Sequence, residues 1–273
     1  MKLRVLLTLG LSLAVAESAA AHPGAPHGEA ARLLAAAGGT KVTLRDCFLT
    51  AVFVPREASV LRPVFQRPLD LSQTFYGPDP LLGVWAMSCE GARVAGTRVG
   101  RVTTSLVGVP NDLTSPGAVP LANNFGHALL RIETTSPVLA RALRRARLPG
   151  RTTPKARFRH SRRGSVPFRG RLLVPGKYGV AVSASDLDPT NPHDHVNRFE
   201  HRGADGRTGT LSLAITNAVD RFCFPDGGTC SATIRAPRRS AMARLLGGRS
   251  APVRAGFDHE RLPRIDLVLR RGR

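Results

Sequence analysis

His193, His195 and His201 in NPHDHVNRFEHRG, with Asp194 and Glu200 among them, form the densest cluster of potential metal ligands in the chain. Imidazole and carboxylate together suit a divalent cation, and His193 and His195 would point the same way on a strand. The preceding Asp186, Asp188, Pro189, Asn191 and Pro192 argue instead for a loop in which these side chains are solvated, so no metal site is assigned. His22 is a second candidate, because cleavage after Ala21 would set a free α-amino group beside its imidazole, an arrangement suited to copper. Such a site needs another histidine from the fold, with His127 or His160 the candidates, and the expected reading of His22 is a mobile leader. No G-x-S-x-G, S-x-x-K or G-x-G-x-x-G motif is present, so neither a serine nucleophile nor a cofactor is implied.

The compartment follows from the first 21 residues. Lys2 and Arg4 precede an apolar run from Leu6 to Ala16 and a small-residue site at Ala19–Ala21, the pattern of a cleaved signal peptide. The expected location is secreted, periplasmic or in the cell envelope, where cysteines pair. No cysteine pair has the two-residue spacing of a zinc knuckle. Four cysteines allow three connectivities. Cys223–Cys230 is the natural local pair across the turn-forming FPDGG, which leaves Cys47–Cys89 as a clasp between two apolar, strand-like segments.

After the signal, residues 22–40 read as a Pro/Gly/His leader with a short Ala-rich helix, and residues 41–273 as a single domain. Val42 to Val54 is strand-like, and Glu57 to Leu61 makes one helical turn before Pro63. Gly83 to Cys89 is an apolar run holding the single tryptophan, Trp85, with Glu90-Gly91 as a turn, and Ala92 to Val109 reads as two strands broken at Gly96 and Gly100. HALLRIET is a further strand. In TTSPVLARALRRARLPG, Ser136 caps a helix, Pro137 takes its first position and Pro149-Gly150 stops it. Strands outnumber helices by several to one. The expected class is α+β, a strongly bent, mostly antiparallel, barrel-like sheet with one or two covering helices.

VPREASVLRPVF, LLGVWAMSCEGARVAG, HALLRIETTSPVLARALRRARLPG, FEHRGADGRTGTL and SAMARLLGG, in that order, resemble the acetoacetate decarboxylase-like superfamily, in particular its exported bacterial branch. The resemblance implies a barrel around an apolar cavity, for which Trp85, Phe75 and Tyr76 are the candidate wall. In the active decarboxylases of this family a lysine forms an imine with the substrate ketone. The position that the resemblance offers is Lys155, in TPKAR. The family pattern has two adjacent lysines preceded by an acid, whereas here Ala156 follows and no carboxylate lies anywhere near in sequence. An exported, non-catalytic barrel that binds a small apolar or amphipathic molecule is therefore the leading expectation. The alternative is a Schiff-base lyase acting on a small keto acid through Lys155.

The formal net charge is +21, and nearly all of it is arginine. Between Glu133 and Asp186 there is no acid at all, while Arg144, Arg145, Arg157, Arg159, Arg162 and Arg163 make this stretch the candidate contact for an anionic lipid or an acidic envelope polymer. Nucleic acid is disfavoured, because only Phe158 and Phe168 are interleaved where single-stranded bases would need stacking platforms.

Overall fold

A computed structural model describes residues 38–65, 80–110, 124–161, 168–184, 193–218, 220–223, 225 and 230–272. The signal, the leader up to residue 37, Phe75, Tyr76, Arg162 and Arg163 lie outside these residues, and Thr40, expected in the leader, begins the first strand.

Seven strands close into a barrel in the order β1 (Thr40–Pro55), β15 (Ala255–Arg271), β11 (Thr208–Ala218), β10 (His193–Arg202), β5 (Asn124–Thr134), β4 (Val102–Pro110) and β2 (Leu81–Val94), with β2 pairing back onto β1. The fold is α+β and barrel-like, as expected, and the pairings are antiparallel save two. β5 runs parallel to β10, and parallel also to the short β6 (Gly150–Thr152). Cys47 and Cys89 sit opposite each other in the β1–β2 register and are joined by a disulfide. Cys230 is also disulfide-bonded, while the side chain of its expected partner Cys223 lies outside the description.

Period-two burial explains the layers. On β4, Val102 and Leu106 point into the barrel core, while Val107 and Val109 belong to a second core outside it. That outer core is covered by a five-stranded sheet in the order β14 (Ser250–Pro252), β13 (Cys230–Arg235), β9 (Tyr178–Ala184), β8 (Phe168–Val174) and β7 (Arg157–His160). A one-turn helix α1 (Ala58–Leu61) follows β1 as the sequence predicts, and α3 (Ala241–Leu246), capped by Ser240 and ended by Gly247 in the left-handed region, adds Met242, Leu245 and Leu246 to the outer core.

The helix α2 (Pro137–Arg145) begins as read: the Ser136 hydroxyl accepts from Leu139 N at 3.1 Å with Pro137 in the first turn. It ends earlier than Pro149-Gly150, with Arg147 in the left-handed conformation at φ 61°. Gly150 serves another purpose, since a Cβ there would lie 2.6 Å from Leu143 Cβ, so its absence lets β6 lie against the helix. α2 closes one end of the barrel with Leu139 and Leu143. There the leucine-rich interior leaves a void of only about 10 Å³, lined by Leu44, Met87, Leu106, Leu139 and Leu143 among others. Such a space suits one water at most, and its apolar wall would give that water few partners.

Two local readings are corrected. Glu90-Gly91 is not a turn: β2 runs through it, because Gly91 pairs with Arg45 and the long register with β1 outweighs the local turn signal. The reversal comes at Ala95-Gly96, leading into β3 (Thr97–Arg98). The loop expected at His193–His201 is likewise a strand, β10, held between β5 and β11.

Candidate functional site

The barrel end opposite α2 gathers the last residues of β1 and β4 and the first residues of β2, β5 and β10. Its inward side chains include an aromatic cluster. Trp85 packs edge-on to Phe53 at 5.5 Å and to Phe199 at 5.2 Å between ring centroids, and Gly83 leaves room for the indole, which a Cβ at that position would strike. His127 stacks on Phe199 at 4.5 Å and meets Trp85 at 4.8 Å. Burial pushes the imidazole down to about 4, against which a hydrogen bond to Asn197 acts weakly, so the ring is neutral near pH 7. Its Nε2 lies 3.0 Å from Asn197 Oδ1. Because that oxygen only accepts, Nε2 carries the proton and Nδ1 is left with a lone pair. Nδ1 is buried and has no hydrogen-bond partner among the described residues. The result is a packed aromatic cluster around that one buried acceptor.

The same strand carries a second buried polar group on its other face. Glu133, at the β5 end nearer α2, points outward to the covering sheet with its carboxylate fully enclosed. Oε2 accepts from Thr153 Oγ1 at 2.5 Å and from Lys177 Nζ at 2.6 Å, and Oε1 lies 3.6 Å from Arg131 Nε. Alongside, Tyr178 and Ser105 share a hydrogen bond of 2.7 Å, and burial drives the phenol far above its ordinary value, with the nearby Glu133 adding to the rise. These contacts tie the β8–β9 hairpin to the barrel wall.

No family model matches the chain, and no curated protein matches it. Solved structures do. One is an acetoacetate decarboxylase-like enzyme from Sphingomonas wittichii RW1, at TM-score 0.55 and 8% identity, covering 86% of this chain and 93% of that one. Another is the enduracididine biosynthesis enzyme MppR, complexed with the condensation product of pyruvate and imidazole 4-carboxaldehyde, at TM-score 0.51 and 10% identity, covering 88% and 90%. The fold is acetoacetate decarboxylase-like.

In this acetoacetate decarboxylase-like barrel the residues singled out from sequence separate widely. Lys155 lies exposed in the turn between β6 and β7, outside the barrel interior. Lys41 is exposed on β1 and Lys177 is paired with Glu133, so among the described residues no lysine lines the interior. Trp85 is buried in the aromatic cluster at the barrel end. Arg144 and Arg145 sit at the end of α2, where Arg144 Nη1 donates to Gly150 O at 3.2 Å, whereas Arg157 and Arg159 stand on the outer face of the five-stranded sheet. The four described arginines of this set thus belong to two different elements. His201 Nδ1 lies 3.0 Å from Leu129 O and Glu200 pairs with Arg198 at 2.8 Å, and among the described residues no group of three ligands is placed to hold a metal ion.

Sequence reasoning passed over His127, Asn197 and Glu133 in these roles. His127 entered only as a possible copper partner. A histidine inside the apolar HALLRI run is the signal that could have raised it, since an imidazole among core residues needs a partner for each nitrogen.

Proposed function

We propose that this chain binds a small, flat, hydrogen-bond-donating molecule in the aromatic end of its barrel, with His127 Nδ1 as the acceptor and Trp85 and Phe199 as the walls. The observation that carries this reading is the buried Nδ1 lone pair, which has no partner among the described residues and sits against two aromatic rings. A buried acceptor left open costs about 1–3 kcal/mol, which a donor from a ligand would recover. An exported location belongs to the same proposal, supported by the amino-terminal pattern and by a disulfide that persists best in an oxidising compartment.

Trp85, the single tryptophan, touches His127, so its fluorescence reports on the site directly. Phenol should give a saturable fluorescence change, and anisole, which has the same ring without the donor, should bind at least tenfold more weakly. Equal affinity for the two, or no saturation with phenol, sinks the proposal. The His127→Phe variant should lose the preference for phenol.

The company of this fold favours a second reading, an imine-forming lyase acting on a small keto acid, because the two solved structures named above are of enzymes and one holds a pyruvate condensation product. Lys155 would act there as a solvent-exposed amine. Lys177 has the acid neighbour, but its Nζ is engaged by Glu133 at 2.6 Å and by Thr153 at 3.3 Å on the outer side of the barrel wall. Borohydride reduction in the presence of pyruvate, followed by peptide mass mapping, separates the two readings: an adduct at Lys155 or Lys177 establishes imine chemistry, and unmodified lysines support the binding reading.

A further inference from the structure

The five-stranded sheet differs in charge from the barrel that it covers. The chain has no acidic residue between Glu133 and Asp186, nor between Asp226 and Asp258, so β7, β8, β9, β13 and β14 contain no carboxylate. Alternation places Leu172, Val174, Tyr178, Val180, Val182 and Ile234 on the inner face. The outer face holds Arg157 and Arg159 of β7, Arg169 and Arg171 of β8, and Arg235 of β13, all exposed. Arg159 and Arg171 are direct cross-strand partners. Like charges in that position oppose sheet formation. Among the described residues none of these five arginines is in an ion pair. On the barrel, by contrast, Arg101 pairs with Glu90 at 2.6 Å, Arg198 with Glu200 at 2.8 Å and Arg264 with Asp266 at 2.8 Å.

One apolar side chain stands among the cations. Leu173 is 48% exposed, pairs across the ladder with Arg157 and faces Gly179 on its other side. Phe158 is packed against the inner core, so no ring from β7 is offered for base stacking. A flat array of guanidinium groups around an exposed leucine matches a bilayer interface. The cations would sit at phosphate depth and the leucine would enter the acyl boundary.

We infer that the outer face of the five-stranded sheet docks on a membrane of anionic phospholipid through Arg157, Arg159, Arg169, Arg171 and Leu173. The inference is independent of the barrel ligand.

Binding of the full chain to vesicles of phosphatidylglycerol mixed with phosphatidylcholine tests it, always between variants so that contributions from residues 1–37 cancel. Each interfacial arginine contributes about fivefold, so Arg159→Gln with Arg171→Gln should weaken binding about 25-fold. Arg93→Gln with Arg98→Gln removes the same charge from the β2–β3 hairpin and should change binding less than about twofold. Melting of the first pair should be no lower than that of the parent, because a like-charge pair has been relieved. Leu173→Ser should weaken vesicle binding and leave inorganic polyphosphate binding as it was. Equal losses from both arginine pairs would show that net charge alone is at work and overturn the assignment. So would polyphosphate binding as tight as vesicle binding together with no effect of Leu173→Ser, which would mark a site for a soluble polyanion.

Discussion

His127 and Glu133 belong to the same strand, face opposite sides of it and are both buried. Among the described residues each keeps one atom without a hydrogen bond, but Oε1 of Glu133 has the Arg131 guanidinium 3.6 Å away while Nδ1 of His127 has no charged neighbour of that kind. Glu133 faces the interlayer core and receives Thr153, Lys177 and, at longer range, Arg131. His127 faces the barrel interior and, among the described residues, is hydrogen-bonded to Asn197 alone. A buried polar group that serves the fold finds its partners within the chain, because leaving it open costs stability. Under the proposed function, the open Nδ1 at the aromatic end of the barrel awaits a donor from outside the described residues. The contrast separates architecture from function within one strand, and it can be attacked from either side.

The largest effect is expected on the Glu133 side. Lys177→Met leaves an enclosed carboxylate with only Thr153 and the distant Arg131, and should cost about 3 kcal/mol in urea unfolding, as removal of one member of a buried pair does. Lys177→Met combined with Glu133→Leu removes both charges and should recover most of that loss. A single variant costing less than about 1 kcal/mol would mean that the clamp is ornamental, and the contrast with His127 would collapse.

The His127 side is tested by pH. Its folded value is about 4, against 6.5 when unfolded, through burial. Above pH 6.5 both states hold a neutral ring and the group has no pH effect. As pH falls below 6.5 the unfolded chain gains a proton that the folded chain refuses until about pH 4, so stability is lost across that window, by about 3 kcal/mol in all. His127→Phe keeps the stack on Phe199 and should remove this component. The difference between parent and variant unfolding curves at pH 7 and pH 4.5 isolates it, because carboxylate titration is common to both. A constant difference would place the imidazole in water and remove the reason for a ligand at Nδ1.

What could be read from sequence divides along the same line. The α2 start was legible because Ser136 and Pro137 act on their own neighbours, and the Cys47–Cys89 clasp because both cysteines sit in apolar strands. The barrel-like class was legible from strand count, but not its closure through the parallel β5–β10 pair, which joins segments about 70 residues apart. β10 was misread because the Pro/Asp-rich residues before it spoke for a loop, while its strand character comes from pairing on both sides with β5 and β11. Glu133 was invisible for a related reason: its partners Thr153 and Lys177 come from later turns, and only the packing of two sheets brings them together.

The smallest predicted effect bears on the Tyr178–Ser105 bond beside Glu133. Tyr178→Phe leaves the Ser105 hydroxyl buried without its 2.7 Å partner and should cost about 1 kcal/mol, whereas Tyr178→Phe with Ser105→Ala should restore near-parental stability. Because burial raises the phenol, the unfolded chain loses its proton near pH 10 while the folded chain keeps it, so parental stability should fall as pH climbs past 10 and that of Tyr178→Phe should fall less. The rescue carries the larger point. Interlayer polar pairs can be deleted together at little cost because both halves belong to the chain. For Nδ1 of His127 no second substitution among its described partners plays that part, so only a donor arriving from outside should produce the equivalent gain.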